Sequence, residues 1–211
     1  MRTDALSAPD ISATAFFTGH RRLSAEERLC LPETVFLSIS EAYAEGYRRF
    51  ICGCALGFDT IAALETVRLR RHFPGVVLSL AIPCLTQADR WPEKDRAVYR
   101  KILSLADEQV VLSPEYYRGA MLTRNRYMAD RSSLCICYMT RWQGGTASAV
   151  RYALTREGMR IVNLAVAGKE QTDLLREQSW NCIYTSPSAD KNAVTVPLLL
   201  SRGRKMKPKR M

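Results

Sequence analysis

The stretch that most constrains this chain is Cys52-Gly53-Cys54-Ala55-Leu56-Gly57-Phe58-Asp59. It follows a short apolar run, Arg49-Phe50-Ile51, that reads as a buried strand. It leads into Thr60 to Val67, where Ile61, Leu64 and Val67 recur at helical spacing. A strand that turns through two glycines into a helix leaves backbone N–H groups pointing beyond the turn, and glycine lets a ligand approach the backbone closely. The natural guest is a phosphate or another anion. Glycines placed only for packing give the same pattern, so the turn needs support from elsewhere in the chain.

That support comes from the order of elements. Thr14-Ala15-Phe16-Phe17 reads as a first strand ending in Thr18-Gly19-His20-Arg21-Arg22. Ser24 with Glu27 fits a capping box for a short helix, and Pro32 can open a second, carrying the stripe Val35, Phe36, Ile39 and Tyr43. After the glycine turn and its helix, Val76 to Ile82 is a continuous apolar run, as in a strand covered on both faces. Gln87 to Leu105 reads as mostly helical, with Pro92 near its start or at a break; Gln109 to Leu112 reads as a strand, Met121 to Asp130 as a helix and Leu134 to Met139 as a strand. A helix with Ala149, Val150, Ala153 and Leu154 on one face and a strand from Arg160 to Ala165 follow. The alternation predicts an α/β fold, an open three-layer arrangement around a mostly parallel sheet of six or seven strands. Val194 to Leu200 is the seventh candidate, as an edge strand.

Ligands in such sheets bind beyond the carboxyl ends of the strands, at the switch point. Three loops lie on that edge: Thr18-Gly19-His20-Arg21, the Gly53–Asp59 turn, and Gly144-Gly145-Thr146. Their agreement points to a nucleotide-type site.

These loops, together with Pro83, Gln87, Trp91, the pair Arg124-Asn125, Met128 and Asp130, resemble the SLOG superfamily, the Rossmann-like group that joins DprA/SMF proteins with the LOG phosphoribohydrolases; the match is to its YpsA-like branch. The resemblance runs from about Phe16 to Ala165. It implies a Rossmann-like domain and a nucleotide or nucleotide-derived ligand related to NAD or ADP-ribose. It assigns ligand binding to Thr18, Gly19, His20, Arg21, Gly53, Ala55, Leu56, Gly57, Asp59, Arg124, Asn125, Asp130, Gly144, Gly145 and Thr146. One departure bears on chemistry: LOG enzymes carry a catalytic Glu three residues after the Thr of their Gly-Thr motif, and that position here is Ala149. No catalytic residue is therefore assigned, and a LOG-type N-glycosidic hydrolase stands as the alternative to a binding protein or sensor.

Residue by residue, His20 suits a phosphate contact or acid/base work, against a loop histidine bonded to backbone. Arg21 suits a bidentate phosphate clamp, and is favoured over Arg22 by the resemblance. Asp59 suits a ribose hydroxyl or a magnesium ion, or plain capping at a helix start. Trp91 suits packing more than base stacking. Cys52-x-Cys54 and Cys135-x-Cys137 do not have the spacing of a zinc site, and Cys135 and Cys137 sit within an apolar strand, so no metal is expected.

Charge and size set the frame. The 211 residues divide into an N-terminal extension (1–12), one domain (13–200) and a basic tail (201–211) expected to be disordered. Of the net charge of +10, six positive charges fall in the last eleven residues, so a nucleic-acid partner is read into the tail rather than the domain. A DprA-like nucleic-acid binder, using the tail and Arg68-Leu69-Arg70-Arg71, is thus a further alternative. Seven cysteines without disulfide-scaffold spacing, no secretory pattern at Met1 to Ser12 and no apolar span suggest a cytoplasmic protein with no membrane partner. Assembly into a homo-oligomer is left open.

Overall fold

The computed structural model describes residues 10–165; residues 1–9 of the N-terminal extension, the candidate strand Val194 to Leu200 and the basic tail lie outside the described residues. Within them six strands form one parallel sheet: β1 (Thr14–Gly19), β2 (Arg49–Cys52), β3 (Val77–Ile82), β4 (Glu108–Val111), β5 (Leu134–Tyr138) and β6 (Arg160–Asn163), in the spatial order β4-β3-β2-β1-β5-β6. The helices are α1 (Ala25–Ala44), α2 (Phe58–Arg70), α3 (Glu93–Leu105), α4 (Ala120–Ala129) and α5 (Gly144–Leu154). This is an open, three-layer, Rossmann-like fold.

The alternation of side chains along each strand builds two cores. Ala15, Phe17, Phe50, Leu78, Leu80 and Ile136 meet Val35, Ile39, Ala62 and Ile102 of α1–α3. Phe16, Ile51, Ala81, Cys135 and Cys137 face the other way, toward Met128, Ala147, Val150 and Ala153 of α4 and α5. The first three helices return the chain step by step from β1 to β4 along one face. After β4 the chain reverses, passes across the other face as α4, and places β5 on the free side of β1, with Phe16 opposite Cys135 and Gly19 opposite Tyr138. The switch point is therefore the seam between β1 and β5.

Two local expectations are corrected. Pro32 opens no second helix: α1 runs unbroken through it, from a capping box in which Ser24 Oγ accepts from the Glu27 amide at 3.1 Å and Glu27 Oε2 from the Ser24 amide at 2.6 Å. Only one intrahelical donor is lost at Pro32, and the continuous helix puts Leu31, Val35, Ile39 and Ala42 in one buried stripe. Conversely, Gln87 to Trp91 is a series of turns and α3 starts only after Pro92, whose carbonyl accepts from the Asp95 and Arg96 amides at 2.9 and 3.0 Å. Proline disfavours helix in the residue before it, which fixes this boundary. Trp91 packs edge-on to Tyr99 with ring centroids 5.3 Å apart, beside the first core.

Candidate functional site

Beyond the carboxyl ends of β1 and β5 lies a cavity of about 420 Å³, within the range of small-molecule sites. The β1–α1 loop lines it with Thr18, Gly19, His20, Arg21 and Arg22; the turn after β2 gives Ala55 and Asp59; α4 gives Met121 and Arg124. Across the seam, Arg141, Gln143, Gly144, Gly145 and Thr146 complete the wall. Ten of the fifteen residues singled out in the sequence line this cavity.

His20 straps the two sides together. Its Nε2 accepts from the Thr140 amide at 2.9 Å, its own amide donates to the Tyr138 carbonyl, and its carbonyl accepts from the Phe58 amide. Burial, then the charge of Arg141, lowers its pKa below the ordinary 6.5 against an opposing pull from Glu27. Because Nε2 accepts from an amide, the neutral ring that this bond requires has its acceptor nitrogen already used and carries its proton on Nδ1.

Under the cavity floor sits a buried cluster around Arg124. Its Nη1 donates to the Gly53 carbonyl at 2.7 Å and lies 3.8 Å from Asp59 Oδ2, while its Nε donates to Asn125 Oδ1 at 2.9 Å. The Ala55 amide donates to Asp59 Oδ2 at 3.3 Å. Burial raises the pKa of Asp59, opposed by Arg124, the Ala55 amide and Arg21. From below, Gln87 Nε2 donates to the Cys54 carbonyl at 2.9 Å, holding a loop in which Cys54 takes the left-handed φ of 51°. Asp59 is the only carboxylate lining the cavity among the described residues, and no group of three His, Cys, Asp or Glu side chains there is placed to hold a metal ion.

The glycines divide into two kinds. A Cβ on Gly53 would stand 1.8 Å from Arg124 Nη1, and one on Gly57, where φ is +82°, would stand 2.3 Å from the Arg21 carbonyl oxygen. Gly19 is held against the Phe58 ring, 2.4 Å from where its Cβ would be. These glycines admit protein neighbours. A Cβ on Gly144, where φ is +81°, or on Gly145 would meet nothing within 4 Å: they open α5 onto the cavity, and its first amides have no side-chain cap.

The remaining sequence choices fall elsewhere. Gly53 and Asn125 lie behind the wall, bonded to Arg124. Leu56 and Gly57 line a neighbouring hollow. Asp130 follows α4 at its far end, where it accepts from Tyr152 Oη at 2.9 Å and pairs with Arg156 at 3.2 Å. Arg68 and Arg70 are engaged by Glu33, Glu65 and Asp107. Sequence reasoning missed Arg141, although it stands at the carboxyl end of a strand beside a glycine pair, the same signal that singled out Arg21. It also ranked Arg22 below Arg21, and both line the cavity.

The sequence model of the YspA SLOG family matches residues 26–160. The chain belongs to that family. Among its relatives is the uncharacterized SPbeta prophage-derived protein YoqJ of Bacillus subtilis (strain 168), 27% identical over 121 residues, covering 52% of this chain and 71% of that one. A UPF0398 protein of Bacillus cereus (strain G9842) is 22% identical over 157 residues, covering 72% and 85%. In fold, the chain is similar to DNA processing protein A of Helicobacter pylori, described for its single-stranded DNA binding mode, with a TM-score of 0.54 and 19% identity over 83% of this chain and 80% of that one. DNA processing protein A of Streptococcus pneumoniae gives the same TM-score at 16% identity, over 82% and 56%. No helix among the described residues is long and apolar enough to cross a membrane.

Proposed function

We propose that this SLOG-family domain binds a phosphate-bearing nucleotide or nucleotide derivative, of the NAD or ADP-ribose kind, in the cavity at the β1–β5 seam. One observation carries the reading: Arg21, Arg22 and Arg141 are exposed, form no hydrogen bond or ion pair with the described residues, and line one cavity onto which the uncapped start of α5 opens. Guanidinium groups suit phosphate oxygens bidentately, and a helix start adds amide donors and a favourable dipole. Thermal-shift screening of the full chain with AMP, ADP-ribose and NAD tests it, since a ligand of the native state raises the melting temperature. At least one should stabilise the wild type, Arg141→Ala should reduce that shift, and Arg71→Ala, at the exposed end of α2, should retain it. A confirmed ligand that stabilises Arg141→Ala as well as wild type puts the site elsewhere.

The role is binding rather than glycosidic cleavage. The position of the LOG carboxylate is Ala149, which is buried in α5. An acid/base group contributes about 10²–10⁴-fold, so AMP incubated with the protein should release no ribose phosphate above background. Robust turnover seen by chromatography would reverse this reading.

The Helicobacter pylori neighbour favours a second reading, in which the same arginines contact the backbone of single-stranded nucleic acid. Binding would then weaken steeply with salt. Anisotropy titrations of a short oligodeoxythymidine at two salt concentrations, with and without residues 201–211, separate a domain site from an electrostatic contribution of the tail.

A further inference from the structure

A second hollow of about 700 Å³ adjoins the cavity. Its walls come from α2 and α3 and from the start of α1 with the chain entering it; Leu23, Ile61, Leu64 and Val98 supply the apolar surface, and Arg28 adds a cation. Ile61 and Leu64 are half-buried and Val98 is 37% exposed, so two helices present unpartnered apolar surface to one concavity. Arg21 and Arg22 line both spaces and so stand where the two meet.

The hollow, like the cavity, sets a single carboxylate among arginines, here Arg21, Arg22 and Arg28. Asp95, in the first turn of α3, is half-buried, and its carboxylate makes no hydrogen bond or ion pair with the described residues. A carboxylate accepts from hydroxyl, amino or amide N–H groups. Apolar walls and an acceptor suit a flat or apolar group that carries hydrogen-bond donors. The two arginines where the spaces meet suit negative charge between two such groups.

We propose that the hollow is a subsite for the second head of a two-headed ligand, a dinucleotide-type pyrophosphate whose bridging phosphates lie on Arg21 and Arg22 and whose first nucleotide occupies the cavity. This rests on the binding reading above and adds a size and a polarity to its ligand. A mononucleotide fills one space only.

Calorimetric titration of the full chain with AMP, ADP and NAD at one ionic strength tests the subsite. NAD should bind about tenfold or more tightly than AMP, the gain from burying a second ring system, and ADP should fall between them. Leu64→Gln and, independently, Val98→Gln change the wall without changing its charge and should bring the NAD-to-AMP affinity ratio close to one. Val98 is exposed enough that its substitution leaves the fold intact, which a melting curve verifies. Equal affinities for AMP and NAD in the wild type, or a ratio that survives both substitutions, overturns the subsite and leaves the binding reading standing. Failure of all three ligands to bind overturns both. An oligodeoxythymidine that binds more tightly than NAD, with a steep salt dependence, makes the hollow part of a nucleic acid track and also overturns the proposal.

Discussion

The turn after β2 and the turn after β5 look alike in sequence: each carries a strand through glycines into a helix at the same edge of the sheet. They do opposite things with those glycines. At Gly53 and Gly57 the missing side chains make room for Arg124 and for the backbone of the β1–α1 loop, so this turn is packed against the protein itself. At Gly144 and Gly145 an added Cβ would meet nothing within 4 Å, and the helix start faces the cavity. The first turn builds the floor and the second presents donors to a guest. A glycine-rich strand-to-helix turn is thus a statement about close approach, and the approaching group must be identified before the turn is called a ligand loop.

Substitution separates the two turns. The largest effect is expected from Gly53→Val: Arg124 must leave its place, which costs overpacking and unsatisfies a buried cluster, about 2–4 kcal/mol in urea unfolding. An unfolding midpoint unchanged from wild type would break the comparison at its stronger end. Next, Arg141→Ala should weaken a phosphate ligand by about 1.5–3 kcal/mol, the scale of a hydrogen bond to a charged group, while leaving unfolding unchanged. Smaller still, Gly145→Ala should raise stability by up to about 1 kcal/mol, because alanine is the better helix former and has open space there. Destabilisation by Gly145→Ala would mean that this turn is packed after all.

The last effect is read as a direction. The pKa of His20 is lowered by burial, so between its ordinary 6.5 and its folded value the unfolded chain binds more protons than the native one. Stability is therefore fullest above 6.5 and declines as pH falls below it, levelling off under the folded pKa. His20→Gln should flatten that part of the profile in melting curves taken at stepped pH. An equally steep decline in the variant would assign it to other groups.

The strands, their parallel order and the edge on which the loops gather were legible because apolar runs and helical spacing report burial directly. What each loop residue touches was less so. Asp130 shares a short motif with Arg124 and Asn125, yet an α-helix rises about 1.5 Å per residue, which carries Asp130 away from the cavity to Tyr152 and Arg156. Gly57 reads the same whether it admits a ligand or a carbonyl oxygen, since a residue without a side chain carries no trace of its neighbour. Pro32 has the form of a helix start, and only the capping box eight residues earlier overrides it.

The seam between β1 and β5 also says something about how the molecule comes into being. The bond from the Thr140 amide to His20 joins positions 120 residues apart, and that from Arg124 to Gly53 joins positions 71 apart. Loop-closure entropy must be met before such pairings form, and folding slows as contacts become less local. The β1–β4 half can assemble from neighbour to neighbour, whereas the cavity exists only after β5 has returned to β1. Ligand occupancy is consequently a report on the completed sheet: a bound guest should slow proteolysis of both halves together.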